Sequence, residues 1–246
     1  MPNTLQTIIA ASAIFISTGA LAQDTRHGIR FGYAPNSSAS LSGKHLNLYN
    51  PVDPSSYRVE ETTAEGAEIS AIFSLGYQLR KPLGERFALD LSLSLTQANI
   101  DAQQVELVSK EGPYRIRSDQ PAAEARYLEL YAGGIYQFDG SAVIPYLGAG
   151  ASLLRGKAYN TYYNLQELLA GAGTYGQSGS ENMDGVGFTL KAGVQFERWA
   201  LELSHGRYDA HIDSFRSFEI DGADLEFDQT MLTAVLLFGR SENNPR

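Results

Sequence analysis

The chain has 246 residues, 19 Lys and Arg against 28 Asp and Glu, a formal net charge of −9 and no cysteine. The acidic balance argues against a nucleic-acid partner, because phosphate binding needs clustered Lys and Arg. The missing cysteine excludes a disulfide framework and a thiolate metal site, while 24 Gly and 14 Tyr suit a folded β-rich chain with close backbone approaches.

Residues 8–22 are apolar or small and end in Ala20-Leu21-Ala22. A short apolar run closed by a small-x-small site is the pattern of a secretory signal peptide, and the run is too short to span a bilayer comfortably. The expected organisation is a signal peptide over 1–22 and one mature domain over 23–246.

The mature part alternates with period 2. In the first segment, 27–34, Ile29, Phe31 and Tyr33 oppose Gly28, Arg30 and Gly32. The second, 67–79, sets Ile69, Ala71, Phe73, Leu75 and Tyr77 against Glu68, Ser70, Ser74, Gly76 and Gln78. The third, 87–96, is the cleanest: Phe87 and four leucines share one parity, and Ala88, Asp90, Ser92, Ser94 and Thr96 share the other. The fourth, 125–138, opposes Leu128, Leu130, Tyr136 and Phe138 to Glu129, Tyr131 and Gln137. The fifth, 142–154, is more apolar on both faces. The sixth, 186–196, sets Val186, Phe188, Leu190 and Phe196 against Thr189, Lys191 and Gln195. The seventh, 199–208, sets Trp199, Leu201 and Leu203 against Glu202 and Ser204. The eighth, 225–238, carries Leu232, Ala234, Leu236 and Phe238 on one parity. A strand sends successive side chains to opposite faces, so each segment predicts a strand with one apolar face.

The connections alternate between short and long. Residues 80–85, 139–141 and 197–198 predict tight turns, the middle one with Asp-Gly chemistry. Residues 35–66, 98–124, 155–185 and 209–224 predict long loops. Within them, 104–108 and 114–117 predict a hairpin, 164–170 a short helix and 173–180 a Gly/Ser-rich stretch. Short turns on one side and long loops on the other, with an even strand count, predict an eight-stranded antiparallel transmembrane β-barrel of the bacterial outer membrane. The polar parity is small and sparsely charged, as a narrow lumen requires; a water-facing surface would carry more Lys and Glu. Tyr77, Phe87, Tyr136, Phe138, Phe196, Trp199 and Phe238 fall at the ends of the apolar faces and predict an interfacial aromatic girdle.

The stretch from Ile144 through Pro145-Tyr146-Leu147-Gly148-Ala149-Gly150 to Ala151 resembles the P-Y-x-G-x-G stretch of the opacity-type and OmpA-like outer-membrane barrel superfamily. Residues 192–196 are similar to its penultimate hairpin, and Phe238 to its terminal aromatic, although the chain continues past Phe238 to Arg246. The resemblance covers the mature chain. It implies insertion by the barrel-assembly machinery and a small barrel of the kind that serves as adhesin, passive stabiliser or lipid-modifying enzyme.

Alternation places Arg30, Glu68, Asp90, Glu129, Lys191 and Glu202 on the lumen parity, where charges must pair to offset desolvation. The expectation is a salt-bridged plug, since side chains fill a barrel of about eight strands. Ser204, His205, His211, Asp213 and Ser214 contain the residue types of a rim hydrolase, but the His-x-Ser spacing of the superfamily's deacylases is absent. His27 and His45 complete the histidines. Asp221, Asp224, Glu226 and Asp228 lack the fixed spacing of a calcium loop and predict a solvated acidic rim. No cofactor or metal is implied. The expected function is non-enzymatic: envelope integrity and loop-mediated surface contact or adhesion, with lipid and lipopolysaccharide as neighbours. A deacylase-like enzyme and a narrow channel are the alternatives.

Overall fold

The computed structural model describes residues 25–48, 57–109, 112–117, 123–140, 142–160, 180–213 and 220–238. The segment read as a signal peptide, the expected helix at 164–170, most of the Gly/Ser-rich stretch, Ser214 and the tail after Phe238 lie outside them.

Ten antiparallel strands are described: β1 (Arg26–Ala34), β2 (Ser37–Leu48), β3 (Tyr57–Pro82), β4 (Phe87–Ser109), β5 (Gly112–Arg117), β6 (Ala123–Gln137), β7 (Ile144–Asn160), β8 (Ser180–Gln195), β9 (Trp199–Ile212) and β10 (Ile220–Phe238). The sheet closes on itself. β1 pairs with β3 on one side and β10 on the other, and β2 does the same further along. The two therefore occupy one slot in the wall, interrupted at Pro35-Asn36, where proline has no N–H to give the ladder. β4 follows β3, β6 follows β4, and each strand from β6 to β10 pairs with the next. β5 continues the β6 slot beyond the point where β6 ends on β4. Among the described residues the ring is eight strands around, which leaves it no open edge.

Three tight turns close one end. Phe196 N–H donates to the Trp199 carbonyl at 2.6 Å, Phe138 N–H to Pro145 at 2.9 Å, and Leu83 N–H to Phe87 at 2.8 Å. At the other end the ladder runs further than the alternation predicts. β3 and β4 stay paired to Ala64 and Val105, and the hairpin expected within 104–117 forms as β4–β5, with Ser109 opposite Gly112. Residues 209–212 and 220–224 also belong to strands rather than to a loop.

The cause of this difference is visible on β9. Trp199, Leu201 and Leu203 face outward, followed on the same parity by His205, Arg207, Asp209 and His211. Inward lie Ala200, Glu202 and Ser204, then Tyr208, Ala210 and Ile212. The strand persists while its two faces exchange character, so a pattern that demands an apolar outer face stops too early.

The outer face carries a continuous apolar belt. On β8 it runs from Phe196 to Val186, about 25 Å tall at ~3.4 Å per residue and a tilt of about 40°. Leu203 in the belt is 54% exposed, while the adjacent Glu202 is 1% exposed. Apolar outside and charged inside is the arrangement of a barrel surrounded by lipid.

Two irregularities lie side by side above the belt. Ala71 has φ +48, and the β3–β4 register shifts by one residue between Ser70 and Phe73. The β1–β2 slot shifts by one against β10 at Pro35-Asn36. A bulge inserts one residue and reverses the faces beyond it. Ile72, Ser74, Gln78 and Arg80 point inward on β3, but beyond the bulge Ala67 and Ile69 do. Glu68 therefore leaves the lumen parity and lies half-buried on the outer side, which corrects its expected place in the lumen network.

Candidate functional site

The interior has three layers. Toward the short turns, Ala88, Ile135, Tyr146, Ala200, Val235 and Leu237 form a small apolar floor. Toward the long-strand end, Leu41, Ile72, Ile100, Leu154, Met183, Ile212 and Phe227 belong to a larger apolar core. Between them lies a charged layer.

Arg80 is the hub of that layer. Its guanidinium donates through Nη1 to Gln195 Oε1 and through Nη2 to Glu202 Oε1, both at 2.9 Å. Its Nε lies 3.8 Å from Asp90 Oδ1, on the residue directly opposite across β3–β4. Its Cζ stacks 4.5 Å from the Tyr146 ring centroid. Glu202 Oε1 also accepts from Tyr146 at 2.8 Å and Gln78 at 3.2 Å, and its Oε2 is 4.0 Å from Arg30 Nη2. Lys191 Nζ reaches Asp90 Oδ2 at 3.1 Å and sits 3.4 Å over the Tyr131 ring. Arg30 donates to Ser92 Oγ. Arg80, Asp90, Lys191 and Glu202 are all under 5% exposed.

The wall makes room for the aromatic members. Gly133 and Gly150 face each other across β6–β7, and a Cβ on Gly133 would lie 2.2 Å from the Tyr131 hydroxyl. Only glycine lets that ring lie back against the strand. Glu129, higher in the lumen, accepts from Ser152 at 2.7 Å and Tyr208 at 3.2 Å. A void about the size of one water lies between Arg30, Glu129, Tyr131 and Lys191. The Tyr131 hydroxyl, Arg80 Nε and Glu202 Oε2 have no hydrogen-bond partner among the described residues, and an ordered water is the ordinary way such groups are satisfied.

Of the six expected lumen residues, the structure brings Arg30, Asp90, Lys191 and Glu202 into one contact network, places Glu129 next to it and removes Glu68. Arg80, Gln195 and Tyr146 were missed. Extending the parity of Gly76 and Gln78 by one step would have reached Arg80, which the sequence reading placed in the turn.

Phe87, Tyr136, Phe138, Phe196, Trp199 and Phe238 lie on the outer side at the short-turn ends of their strands, whereas Tyr77 faces outward further into the belt, level with Ile29 and Leu93. Phe87 and Tyr136 make an edge-to-face contact at 5.1 Å, and so do Tyr136 and Phe138. Trp199 lies opposite Leu236, and Phe238 opposite His27, whose ring contacts the Tyr77 hydroxyl. At the other margin of the belt Tyr33 and Phe73 pair at 5.5 Å.

The described hydrolase candidates are not brought together. Ser204 points inward, its Oγ 3.5 Å from the Met231 carbonyl, while His205 points outward to Thr230 at 2.9 Å. His211 Nδ1 meets Asp224 at 2.7 Å on the outer wall, and Asp213 accepts from Asn182 at 2.8 Å. Asp224, Glu226 and Asp228 of β10 alternate outward, with Glu226 paired to Arg207 at 3.3 Å. Among the described residues no group of three or more His, Cys, Asp or Glu is placed to hold a metal ion.

No family model matches the sequence, and no curated protein matches it. Solved structures do. The outer membrane protein OprG from Pseudomonas aeruginosa is 14% identical over 89% of this chain and 98% of its own, with a TM-score of 0.47. The attachment invasion locus protein Ail of Yersinia pestis is 16% identical over 88% of this chain and 100% of its own, with a TM-score of 0.36. The outer membrane protease OmpT from Escherichia coli is 8% identical over 87% and 96%, with a TM-score of 0.41.

Proposed function

We propose that this chain is a non-enzymatic protein of the bacterial outer membrane, exported with removal of residues 1–22. Its sealed barrel supports envelope integrity, and its raised rim makes contact at the cell surface. The observation that carries this reading is the exchange of faces along each long strand. The belt suits lipid. Beyond it, the wall continues with charges outside and a packed apolar core inside, as in a water-soluble barrel. A stiff rim standing clear of the membrane is a platform for recognition, which loops on rigid scaffolds commonly provide. Among the described residues an apolar floor and an apolar core lie on either side of the charged layer, which favours a closed barrel over a channel. Lipopolysaccharide around the belt, the barrel-assembly machinery and a surface or host ligand at the rim are the proposed partners.

Two measurements test the reading. Single-channel recording of the reconstituted protein should give no steady conductance; a stable open level would replace this proposal with the channel. Cells carrying a variant in which residues 101–122 are replaced by a tight turn should attach to surfaces less than cells with the full chain, with heat-modifiable gel mobility retained. Equal attachment would remove the rim from the function.

A further inference from the structure

The lipid-facing wall is not evenly ridged. On the half of the belt near the short turns, an apolar groove of about 460 Å³ lies between Leu147, Val194, Leu201 and Leu203, with Phe138 at its lower end. Its origin is local. Ala192 stands opposite Leu147 on one side and Leu203 on the other, so a small side chain sits between large ones. The space equals roughly fifteen waters at ~30 Å³ each, yet it offers almost no polar partner to hold them. In a bilayer its natural content is hydrocarbon.

The turn directly beneath the groove supplies charge. Glu197 and Arg198 are both exposed and immediately precede Trp199. Neither has an ion-pair partner among the described residues. The neighbouring turn differs, because Arg86 is neutralised there by Asp139 at 2.6 Å and bonded to the Tyr136 hydroxyl at 3.2 Å. The 197–198 turn thus presents a cation and an anion, neither ion-paired among the described residues, at headgroup depth, below an aromatic ring of the type that anchors at that level.

We propose that the groove and the 197–198 turn form a phospholipid site, with one acyl chain in the groove, the headgroup phosphate on Arg198 and a headgroup ammonium on Glu197. This chemistry selects a phosphoethanolamine headgroup. Its ammonium carries N–H donors for the Glu197 carboxylate, and the quaternary nitrogen of phosphocholine carries none. The proposal rests on the reading that the belt sits in lipid.

Trp199 is the chain's single tryptophan and lies two residues before the groove-lining Leu201 on the same outward face of β9, so its fluorescence reports occupancy nearby. The full chain is reconstituted in phosphatidylcholine vesicles doped with either brominated phosphatidylethanolamine or brominated phosphatidylcholine at equal mole fraction. The ethanolamine lipid should quench with an apparent preference of about threefold, the scale of the one exposed ion pair, at Glu197, that distinguishes the two headgroups. Ala192→Leu, which fills the groove, and Glu197→Gln, which removes the acceptor for the ammonium, should each bring quenching by the ethanolamine lipid down to the phosphatidylcholine level, with heat-modifiable gel mobility confirming that both variants fold. Equal quenching by the two lipids in the wild type, or an undiminished preference in Ala192→Leu, overturns the site. Absence of quenching by either lipid instead overturns the placement of the belt in the bilayer.

Discussion

The two halves of the barrel wall obey opposite rules. In the belt half of β9, Leu201 and Leu203 face out and Glu202 is 1% exposed inside. In the rim half of the same strand, Arg207, Asp209 and His211 face out, and Tyr208, Ala210 and Ile212 are buried. Backbone geometry is the same in both; the difference is the surrounding solvent. Lipid is as apolar as a protein core, so in the belt the polar groups must retreat inward and satisfy one another. Above it, water takes the outer charges and drives apolar side chains inside.

The halves also spend charge differently. The belt half buries Arg30, Arg80 and Lys191 with Asp90 and Glu202 in mutual contact. The rim half strings its pairs over the outside: Arg155 with Asp184 at 3.4 Å, Arg207 with Glu226 at 3.3 Å and Arg126 with Glu124 at 2.6 Å. Buried pairs are costly to break from one side, whereas exposed pairs are screened and weak.

The largest expected effect follows from that contrast. Arg80→Ala removes the nearest cation from buried Glu202, leaving it Arg30 at 4.0 Å, and should destabilise the protein by about 3–5 kcal/mol, less where water enters. Urea unfolding in detergent measures it, and a loss below ~1 kcal/mol would mean the charged layer is wet. Lys191→Met should act in the same direction through Asp90, and pairing it with Asp90→Asn should recover part of the loss, because both charges then vanish together.

A second comparison uses one face of one strand. Leu190 and Asn182 both point outward on β8, the first inside the belt and the second above it. Leu190→Lys should cost about 2–4 kcal/mol near the bilayer midplane, while Asn182→Lys should change stability little. Equal costs in reconstituted bilayers would misplace the upper margin of the belt.

Within the rim, Ile212→Ala removes fully buried apolar volume and should cost about 2–5 kcal/mol, as in a soluble core. A much smaller value by the same unfolding assay would show that the rim core is loose. The smallest effect is assigned to Arg207→Ala, under about 1 kcal/mol and vanishing at high salt, because its partner Glu226 is exposed as well.

Alternation alone determined the eight-strand ring, the outward direction of the girdle and the inward direction of Arg30, Asp90, Lys191 and Glu202. It could do so because a strand of period 2 converts residue order directly into facing, and the lipid belt makes one parity uniformly apolar over five or six positions. What the tertiary structure decided lies where that conversion fails. At Ala71 and at Pro35-Asn36 a single extra residue reverses the faces, so Glu68 leaves the lumen while its own sequence neighbourhood still alternates. Above the belt the solvent changes and the same alternation carries the opposite polarity, so strands such as β9 and β10 outrun their predicted ends. Arg80 joins the network because β4 sets Asp90 directly across from it, and Glu202 comes from a strand four places further round the ring. Contacts between strands so distant in sequence depend on closure of the sheet, which no local pattern encodes.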